Sequence, residues 1–138
     1  RRGRRSHPAL RRHGLAERIV TGDNTEVSGA AAVEALLADL PTAILANNDQ
    51  CAVGVLDALR RHGVAVPGRV SVVGYDDTQL SRLAHVDLTT VAQDAAEIAR
   101  IAVDAALDRA EGMAGEPKHI RLSPRLVVRS TTGPPQRS

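Results

Sequence analysis

Two short apolar runs, each followed by polar side chains, constrain the fold of this chain more than any other feature. The first covers residues 42–46 and is followed by Asn48, and the second covers residues 69–74 and is followed by Asp76. Runs of this length, rich in β-branched residues, are typical of buried parallel strands. One helix length of sequence separates them, which indicates a strand–helix–strand unit. Because ligands bind beyond the carboxyl ends of strands in open parallel sheets, these polar side chains are predicted to line a binding site.

The alternation of helical and extended patterns continues along the rest of the chain. In order, the predicted elements are a helix ending at residue 14, a strand at 17–21, a helix after the cap-rich turn at 23–25, the strand at 42–46, a helix from 48 or 49 to 62, the strand at 69–74, a short helix at 78–84, an extended segment at 88–91, a helix from 94 to about 111 and an extended segment at 119–128. This order predicts an α/β fold with right-handed crossovers.

Length and composition limit the class of protein. The 138 residues fit one domain, and the hydrophobic fraction of 43% includes a single aromatic side chain, Tyr75. The core must therefore be built from Ala, Val, Leu and Ile. No apolar stretch approaches the ~20 residues that span a bilayer, and no signal peptide opens the sequence. These features favour a soluble, cytoplasmic protein.

Arginines are concentrated at the start of the sequence. Six of the first twelve residues are Arg, and no acidic residue occurs before Glu17. The cluster is either an arm that binds nucleic acid or phosphate, or else an exposed helix face or the ragged start of a fragment. The second interpretation is favoured. No aromatic residue is interleaved with the arginines, so base stacking has no support.

Catalysis and metal binding have little support in the sequence. There is no Gly-x-Ser-x-Gly elbow, no phosphate-binding loop and no His-Glu-x-x-His helix. A lone Cys51 excludes an internal disulfide and a cysteine-based zinc set. Asp76 and Asp77 are adjacent, so their side chains are predicted to point in different directions and not to form an acid/base pair. We therefore predict no catalytic residue, no metal and no cofactor.

A series of motifs resembles a known family. In order, they are Pro-Thr-Ala-Ile-Leu-Ala-Asn-Asn-Asp at 41–49, Ala-Val-Gly at 52–54, His-Gly at 62–63, Val-Pro at 66–67, Ser-Val-Val-Gly-Tyr-Asp-Asp at 71–77, Leu-Thr-Thr-Val at 88–91 and Leu-Val-Val-Arg-Ser at 126–130. No single motif is specific. The ordered set, over about residues 9–132, strongly resembles the lactose-repressor family of bacterial transcription regulators.

The resemblance implies a periplasmic-binding-protein-like (type I) sensor, with a mostly parallel sheet flanked by helices. Such a sensor has two lobes around an effector and a helix-turn-helix head that reads operator DNA as a homodimer. Only the C-terminal lobe and part of the crossover region are expected here, and operator DNA would be bound only through a head absent from this chain. The expected parts are a partial N-terminal helix at 1–17, the lobe at 18–93, an inter-lobe helix and a returning strand at 94–132, and a disordered tail at 133–138.

Four side chains are candidate effector contacts: Asp76, Asn48, Gln93 and Asp49. An ionised Asp76 can accept two hydrogen bonds from vicinal hydroxyls, and Asn48 can donate and accept at once. In the family the segment before Gln93 crosses between the lobes, which would place Gln93 at the cleft floor. The structural alternatives are helix capping for Asp76 and turn formation for Asn48. For Asp49, helix capping is the favoured interpretation, and Asp77 is also predicted to be a cap.

Two apolar surfaces are also expected from the resemblance. The helix after Asn48 would pair with a twin chain, which makes Val53, Val55 and Leu56 candidate dimer contacts unless all three pack on their own sheet. The helix that begins at residue 94 would pack on a first lobe that this chain lacks. Its apolar stripe consists of Ile98, Ile101, Ala102 and Ala105.

The leading functional hypothesis is the ligand-sensing portion of a bacterial transcriptional regulator. In this hypothesis a small polar effector, a sugar or a nucleoside, closes the lobes and shifts a two-state equilibrium. One alternative is the sugar-binding receptor of a transport system with the same fold, which predicts a signal peptide. A third class is an enzyme of flavodoxin-like topology, which needs a phosphate loop or a nucleophile that the sequence does not contain.

Overall fold

The computed structural model describes residues 8–113, 115–116 and 119–135. Helices and strands follow one another in the order α1 Pro8–Arg12, α2 Glu26–Leu36, β1 Ala43–Leu45, α3 Asp49–Arg61, β2 Ser71–Tyr75, β3 Thr89–Ala92, α4 Ala95–Ala110 and β4 Arg125–Val127. Two 3-10 turns, Leu37–Asp39 and Leu80–Arg82, follow α2 and β2. No helix within the described part of the chain is both long enough and apolar enough to span a membrane.

One sheet organises the chain, with its strands in the order β1-β2-β3-β4. The first three strands are parallel, with Ile44 opposite Val72 and Gly74 opposite Thr90. The last strand, β4, runs antiparallel to β3. The carboxyl ends of β1, β2 and β3 therefore lie along one edge, as the sequence predicted for the two runs at 42–46 and 69–74.

The hydrophobic core lies between this sheet and the helix pair α2 and α3. Its fully or nearly buried members are Val33, Ala52, Val55, Ala58, Leu59, Val70, Val72 and Leu88. The two helices approach closely at Gly54, where an added Cβ would collide with the backbone carbonyl of Glu26. An aliphatic core without aromatic side chains therefore depends on close helix contact to fill its volume.

The helix ends follow the capping signals in the sequence. Thr25 forms a capping box with Ser28 at the start of α2, and the Asn48 side chain accepts from the backbone N–H of Cys51 at the start of α3. Asp94 accepts from the N–H of Glu97 at the start of α4. Gly63, at φ +67°, follows the end of α3. These outcomes confirm the predicted starts of the three long helices and the stop after α3.

The predicted strand at 17–21 is wrong. The residues of this segment form no strand, and Ile19 and Val20 are exposed. A β-branched run becomes a strand only when a neighbouring edge pairs with it, and this segment makes no ladder with β1. Arg18 of this segment forms an ion pair, in which its Nη1 lies 2.9 Å from Asp39 Oδ2.

The segment after β4 returns along the amino ends of β2 and β3. The Thr131 hydroxyl donates to the carbonyl of Val72 at 2.7 Å and accepts from the N–H of Thr89 at 2.9 Å. Gly133, expected to begin a disordered tail, exchanges two 3.2 Å hydrogen bonds with the Ser71 hydroxyl. Residue 133 is therefore bonded to the start of β2. Residues 136–138 of the expected tail and residues 1–7 of the arginine cluster lie outside the described part.

Helix α4 buries none of its residues. Ile98 is 45% exposed, Val103 and Leu107 are exposed, and Ile101 is half-buried. The sheet is therefore covered by packed helices on the side of α2 and α3, and the apolar stripe of α4 stays open to solvent in this structure. This agrees with the expectation that the stripe lacks a surface to cover.

Replacing both Ile98 and Ile101 with Ser tests whether α4 is exposed in solution. Burial of an Ile side chain is worth about 1.5–3 kcal/mol, so removing two largely exposed Ile should change the melting temperature little while raising solubility. Calorimetry and the saturation concentration measure the two effects. The control Val33→Ser, at a fully buried position of α2, should lower the melting temperature steeply. A fall of similar size for the double variant would mean that α4 is buried in solution.

Candidate functional site

The carboxyl edge of the sheet brings together Asp76 and Gln93, which follow β2 and β3. The Gln93 Nε2 atom donates to Asp76 Oδ1 at 2.8 Å, and both side chains are exposed. The backbone N–H of Asp76 donates to the carbonyl of Val91 at 2.8 Å, which continues the pairing with β3 one residue past the end of β2. Two of the four candidate effector residues therefore form one exposed polar pair.

The backbone at Asp76 and Asp77 is unusual, because φ is +108° at the first and +53° at the second. Two successive positive φ values at residues other than Gly cost of order 1–3 kcal/mol each, and such strain is concentrated at functional sites. The two carboxylates also have different surroundings, as expected for adjacent residues. Asp76 is exposed, whereas the Asp77 side chain is only 6% exposed.

Asp77 is held by a buried ion pair that sequence reasoning missed. Its Oδ1 lies 2.6 Å from Arg129 Nη2, and its Oδ2 lies 2.7 Å from Arg82 Nη2. Burial alone would raise the pKa of Asp77, but the hydrogen bonds and charges of Arg129 and Arg82 outweigh burial and lower the pKa to about 2. Asp77 therefore links the loop after β2 to the C-terminal segment. The prediction that Asp77 is a helix cap is wrong, because the N-cap of the 3-10 turn Leu80–Arg82 is Gln79 and no side chain caps it. The motif Leu-Val-Val-Arg-Ser contained the missing partner.

Asn48 lies at the same edge, after β1. Its Oδ1 accepts from the N–H of Cys51 at 2.7 Å, and its Nδ2 donates to the carbonyl of Asn24 at 3.0 Å. The neighbouring Asn47 also contacts Asn24, through a 2.8 Å bond from Nδ2 to Oδ1. Asn48 thus has a structural role as a helix cap, and its predicted contact with an effector stays a prediction. Asn24 and Asn47 were not among the predicted site residues.

Asp49 is fully buried, so the prediction that it contacts an effector does not fit this structure. Its Oδ2 accepts from the N–H and the hydroxyl of Thr78 at 2.6 and 3.0 Å, and its Oδ1 accepts from the Thr90 hydroxyl at 2.6 Å. Gly74 makes room for this carboxylate, because a Cβ at that position would collide with Asp49 Oδ1. The residue is an internal anchor, and the cap of α3 is Asn48 instead.

The predicted dimer contacts separate into two groups. Val55 is 2% exposed and belongs to the core, so it cannot contact a second chain, and that prediction is wrong. Val53 and Leu56 are half-buried and line an open groove of about 780 Å³, together with Val27 and Arg60. None of the exposed polar residues of the carboxyl edge lines this groove.

Within the described ranges, no three His, Cys, Asp or Glu side chains lie close enough together to hold a metal ion. The hydrogen-bonding side chains that directly follow the parallel strands at the carboxyl edge include the exposed carboxylate of Asp76 and the amides of Asn47, Asn48 and Gln93. Such groups bind neutral hydroxyl or amide functions by directional hydrogen bonds.

Comparison with known proteins identifies the family. The sequence matches the periplasmic binding protein-like domain family over residues 1–132. The structure superposes on a LacI transcriptional regulator from a Rhodococcus species with a TM-score of 0.85 and 48% sequence identity, covering 91% of this chain and 48% of that one. The chain belongs to the lactose-repressor family.

Curated members of the family include two named repressors. The chain is 35% identical over 130 residues to the HTH-type transcriptional repressor CytR of Escherichia coli strain K12, an alignment that covers 90% of this chain. It is 36% identical over 113 residues to the HTH-type transcriptional repressor PurR of Escherichia fergusonii, covering 80% of this chain. The chain spans only 38% of the first and 33% of the second.

A solved family member carries a bound sugar. It is a LacI family transcriptional regulator from Enterococcus faecium with bound ribose, which is 26% identical, has a TM-score of 0.85 and covers 93% of this chain and 49% of that one. The transcriptional regulator CelR in complex with cellobiose is 34% identical, with a TM-score of 0.81 over 89% of this chain and 39% of that one.

Arg129→Ala should destabilise the chain by about 1–3 kcal/mol, because it leaves a buried carboxylate without its main partner. The matched control Arg82→Ala removes the other arginine, whose side chain is 61% exposed, and should cost only about 0–1 kcal/mol. Urea unfolding at neutral pH measures both. Equal losses for the two variants would contradict the assignment of Arg129 as the principal partner of Asp77.

The same ion pair sets a pH dependence. Because the pKa of Asp77 is lowered from 3.8 to about 2 in the folded chain, its stabilising contribution is present above the ordinary pKa and is lost as the pH falls through about 2. The stability difference between the wild-type chain and Arg129→Ala should therefore narrow in this acid range. A difference that stays constant from neutral pH to pH 2 would mean that the ion pair does not cause it.

Proposed function

We propose that this chain is the effector-sensing portion of a transcriptional regulator and that it binds a small polar molecule, a sugar or a nucleoside. The observation that carries the proposal is the exposed pair of Asp76 and Gln93 at the carboxyl ends of neighbouring parallel strands. This edge is where open α/β sheets bind their ligands.

The chemistry of the pair suits a hydroxylated ligand. Gln93 donates to Asp76 Oδ1. Among the described contacts, Asp76 Oδ2 and the Gln93 carbonyl oxygen accept no hydrogen bond, so both can accept one from a ligand. An ionised carboxylate forms stronger hydrogen bonds than a neutral acceptor does, and two neighbouring acceptors match the two hydroxyls of a vicinal diol. The hydrogen bond from Gln93 also fixes the orientation of the carboxylate before a ligand arrives.

Known relatives support the regulatory part of the proposal. The curated relatives are named repressors, and two structural neighbours hold cellobiose and ribose. In the proposed mechanism, effector binding at this edge favours a closed arrangement of two lobes, and a DNA-binding head responds to the shift in population. The transport-receptor alternative receives no comparable support from these names.

The variant Asp76→Asn tests the proposed contact. The change keeps the shape of the side chain and removes its charge, so affinity should fall about ten- to a hundred-fold, as expected when a charge-assisted hydrogen bond is lost. Amide shifts in NMR titrations with D-ribose, cellobiose and a nucleoside panel report binding down to millimolar affinity. The control Asp104→Asn makes the same chemical change on exposed α4 and should leave the affinity unaltered.

Two outcomes decide the assignment. Amide shifts confined to the carboxyl edge, and lost in Asp76→Asn alone, support it. Unchanged affinity in Asp76→Asn rejects Asp76 as a contact.

We also propose that the groove beside α3 is the surface through which two copies of the chain associate. Val53 and Leu56 line it, and Val27 at its rim is an exposed apolar side chain. Asp57, Arg60 and Arg61 supply charges of both signs to the same groove, which suits a self-complementary two-fold contact. An open apolar groove with a charged rim is typical of an interaction site.

Val53→Asp should convert the chain to a soluble monomer, because a charge in the groove opposes the apolar contact without entering the core. Light scattering measures the mass, and circular dichroism checks the fold. Val55→Asp is the matched control on the buried side of α3 and should unfold the chain. If Val53→Asp keeps the mass of the wild-type dimer, the interface lies elsewhere.

A further inference from the structure

The loop between β2 and β3 has two internal anchors directly after Asp76. Thr78 donates its N–H and its hydroxyl to Asp49 at 2.6 and 3.0 Å, and Asp49 is fully buried. Asp77 accepts from Arg129 at 2.6 Å, and the side chains of this pair are 6% and 15% exposed. The exposed carboxylate of Asp76 therefore lies on a backbone whose next two residues are bonded to interior groups.

Arg129 is itself held in place by several hydrogen bonds. Its Nη1 donates to the carbonyl of Leu88 at 2.7 Å and to the hydroxyl of Ser81 at 3.3 Å. Its backbone N–H donates to the hydroxyl of Thr89 at 2.9 Å, and its carbonyl accepts from the same hydroxyl at 3.2 Å. Because arginine presents its donors in a planar fork, one guanidinium can fix the Leu88 carbonyl and the Asp77 carboxylate relative to each other. The C-terminal segment thereby connects the start of β3 to the loop after β2.

The backbone of this loop does not favour its own geometry. The φ angle is +108° at Asp76 and +53° at Asp77, a region in which residues with a Cβ are uncommon. Such conformations persist only where the surrounding structure over-determines them. Among the described contacts, those that reach these two residues from outside the loop are Arg129 at Asp77, and Val91 and Gln93 at Asp76. The ion pair with Arg129 is the buried member of this set.

We propose that Arg129 is a positioning residue of the effector site: by holding Asp77, it fixes the loop backbone so that the carboxylate of Asp76 is directed toward Gln93. The inference rests on the proposed function, since Asp76 is the proposed effector contact. The side chain of Arg129 is largely buried and bonded within the fold, so it acts through the loop and not by touching the ligand. A carboxylate whose direction is set before binding loses less conformational entropy when the ligand arrives.

The side-chain amide of Gln93 reports this role without any ligand, because its Nε2 donates to Asp76 Oδ1. In NMR spectra of Arg129→Ala, the Gln93 side-chain amide resonances should move toward those of the exposed Gln50. Arg129→Lys keeps the positive charge but lacks the planar fork, and it should move the same resonances by a smaller amount. The control Val33→Ala removes packing from the core of α2, far from the loop in sequence, and should lower stability while leaving these resonances unaltered.

Affinity supplies the second measurement, with D-ribose and cellobiose as probes in NMR titrations of the full chain. Arg129→Ala should weaken binding of these sugars by about two- to tenfold, the factor expected when one side chain has to be ordered on binding. Asp76→Asn should weaken binding more, because it removes the contact itself. Val33→Ala should retain the wild-type affinity under conditions in which it is folded.

The outcomes separate this inference from the proposed function. Gln93 resonances that stay unchanged in both Arg129 variants, or that move equally in Val33→Ala, overturn positioning by Arg129 and leave the effector contact to be judged by Asp76→Asn. Wild-type affinity in Arg129→Ala together with weakened binding in Asp76→Asn also overturns the inference, while the effector contact stands. Wild-type affinity in Asp76→Asn rejects the proposed contact, and this inference with it.

Discussion

The buried carboxylate of Asp49 is the constraint on which the carboxyl edge depends. A charge without water is costly unless it is fully hydrogen-bonded, and here the donors come from Thr78 and Thr90. Thr78 follows β2, and Thr90 lies within β3. Satisfying the carboxylate therefore fixes the start of α3 against both strands. Gly74 is required for the same reason, since any side chain there would displace the carboxylate.

The exposure of Asp76 follows from the burial of its neighbour. Arg129 holds the side chain of Asp77 in the interior, and φ is positive at both Asp76 and Asp77. That conformation costs of order 1–3 kcal/mol per residue, which the buried ion pair and the hydrogen bond from Asp76 N–H to Val91 offset. The result directs the Asp76 carboxylate outward beside Gln93. The C-terminal segment, far away in sequence, thus holds the residue next to Asp76.

The sequence predicted those features that depend on local pattern. Apolar runs located β1 and β2, and cap residues located the starts of α2, α3 and α4. Pairwise contacts between distant residues were not predictable, because no spacing rule connects Asp77 to Arg129 or Asn47 to Asn24. The same limit explains the errors. In the sequence Asp49 has the position of a helix cap, but in the fold it is bonded to the distant Thr90. Val55 was expected on an exposed face of its helix, but it is buried in the core. Residues 17–21 lack the pairing partner that a strand needs.

In the proposed function, the response to the effector depends on lobe closure as well as on this edge, because the edge is exposed to water. Asp76 and Gln93 are open to water, where each hydrogen bond to a ligand replaces a bond to solvent and gains little. The same groups in a site closed to water bind more strongly, because the effective dielectric constant is lower. A second surface that closes over this edge would therefore strengthen contacts already oriented by the hydrogen bond of Gln93. Affinity and closure would then be coupled through solvent exclusion.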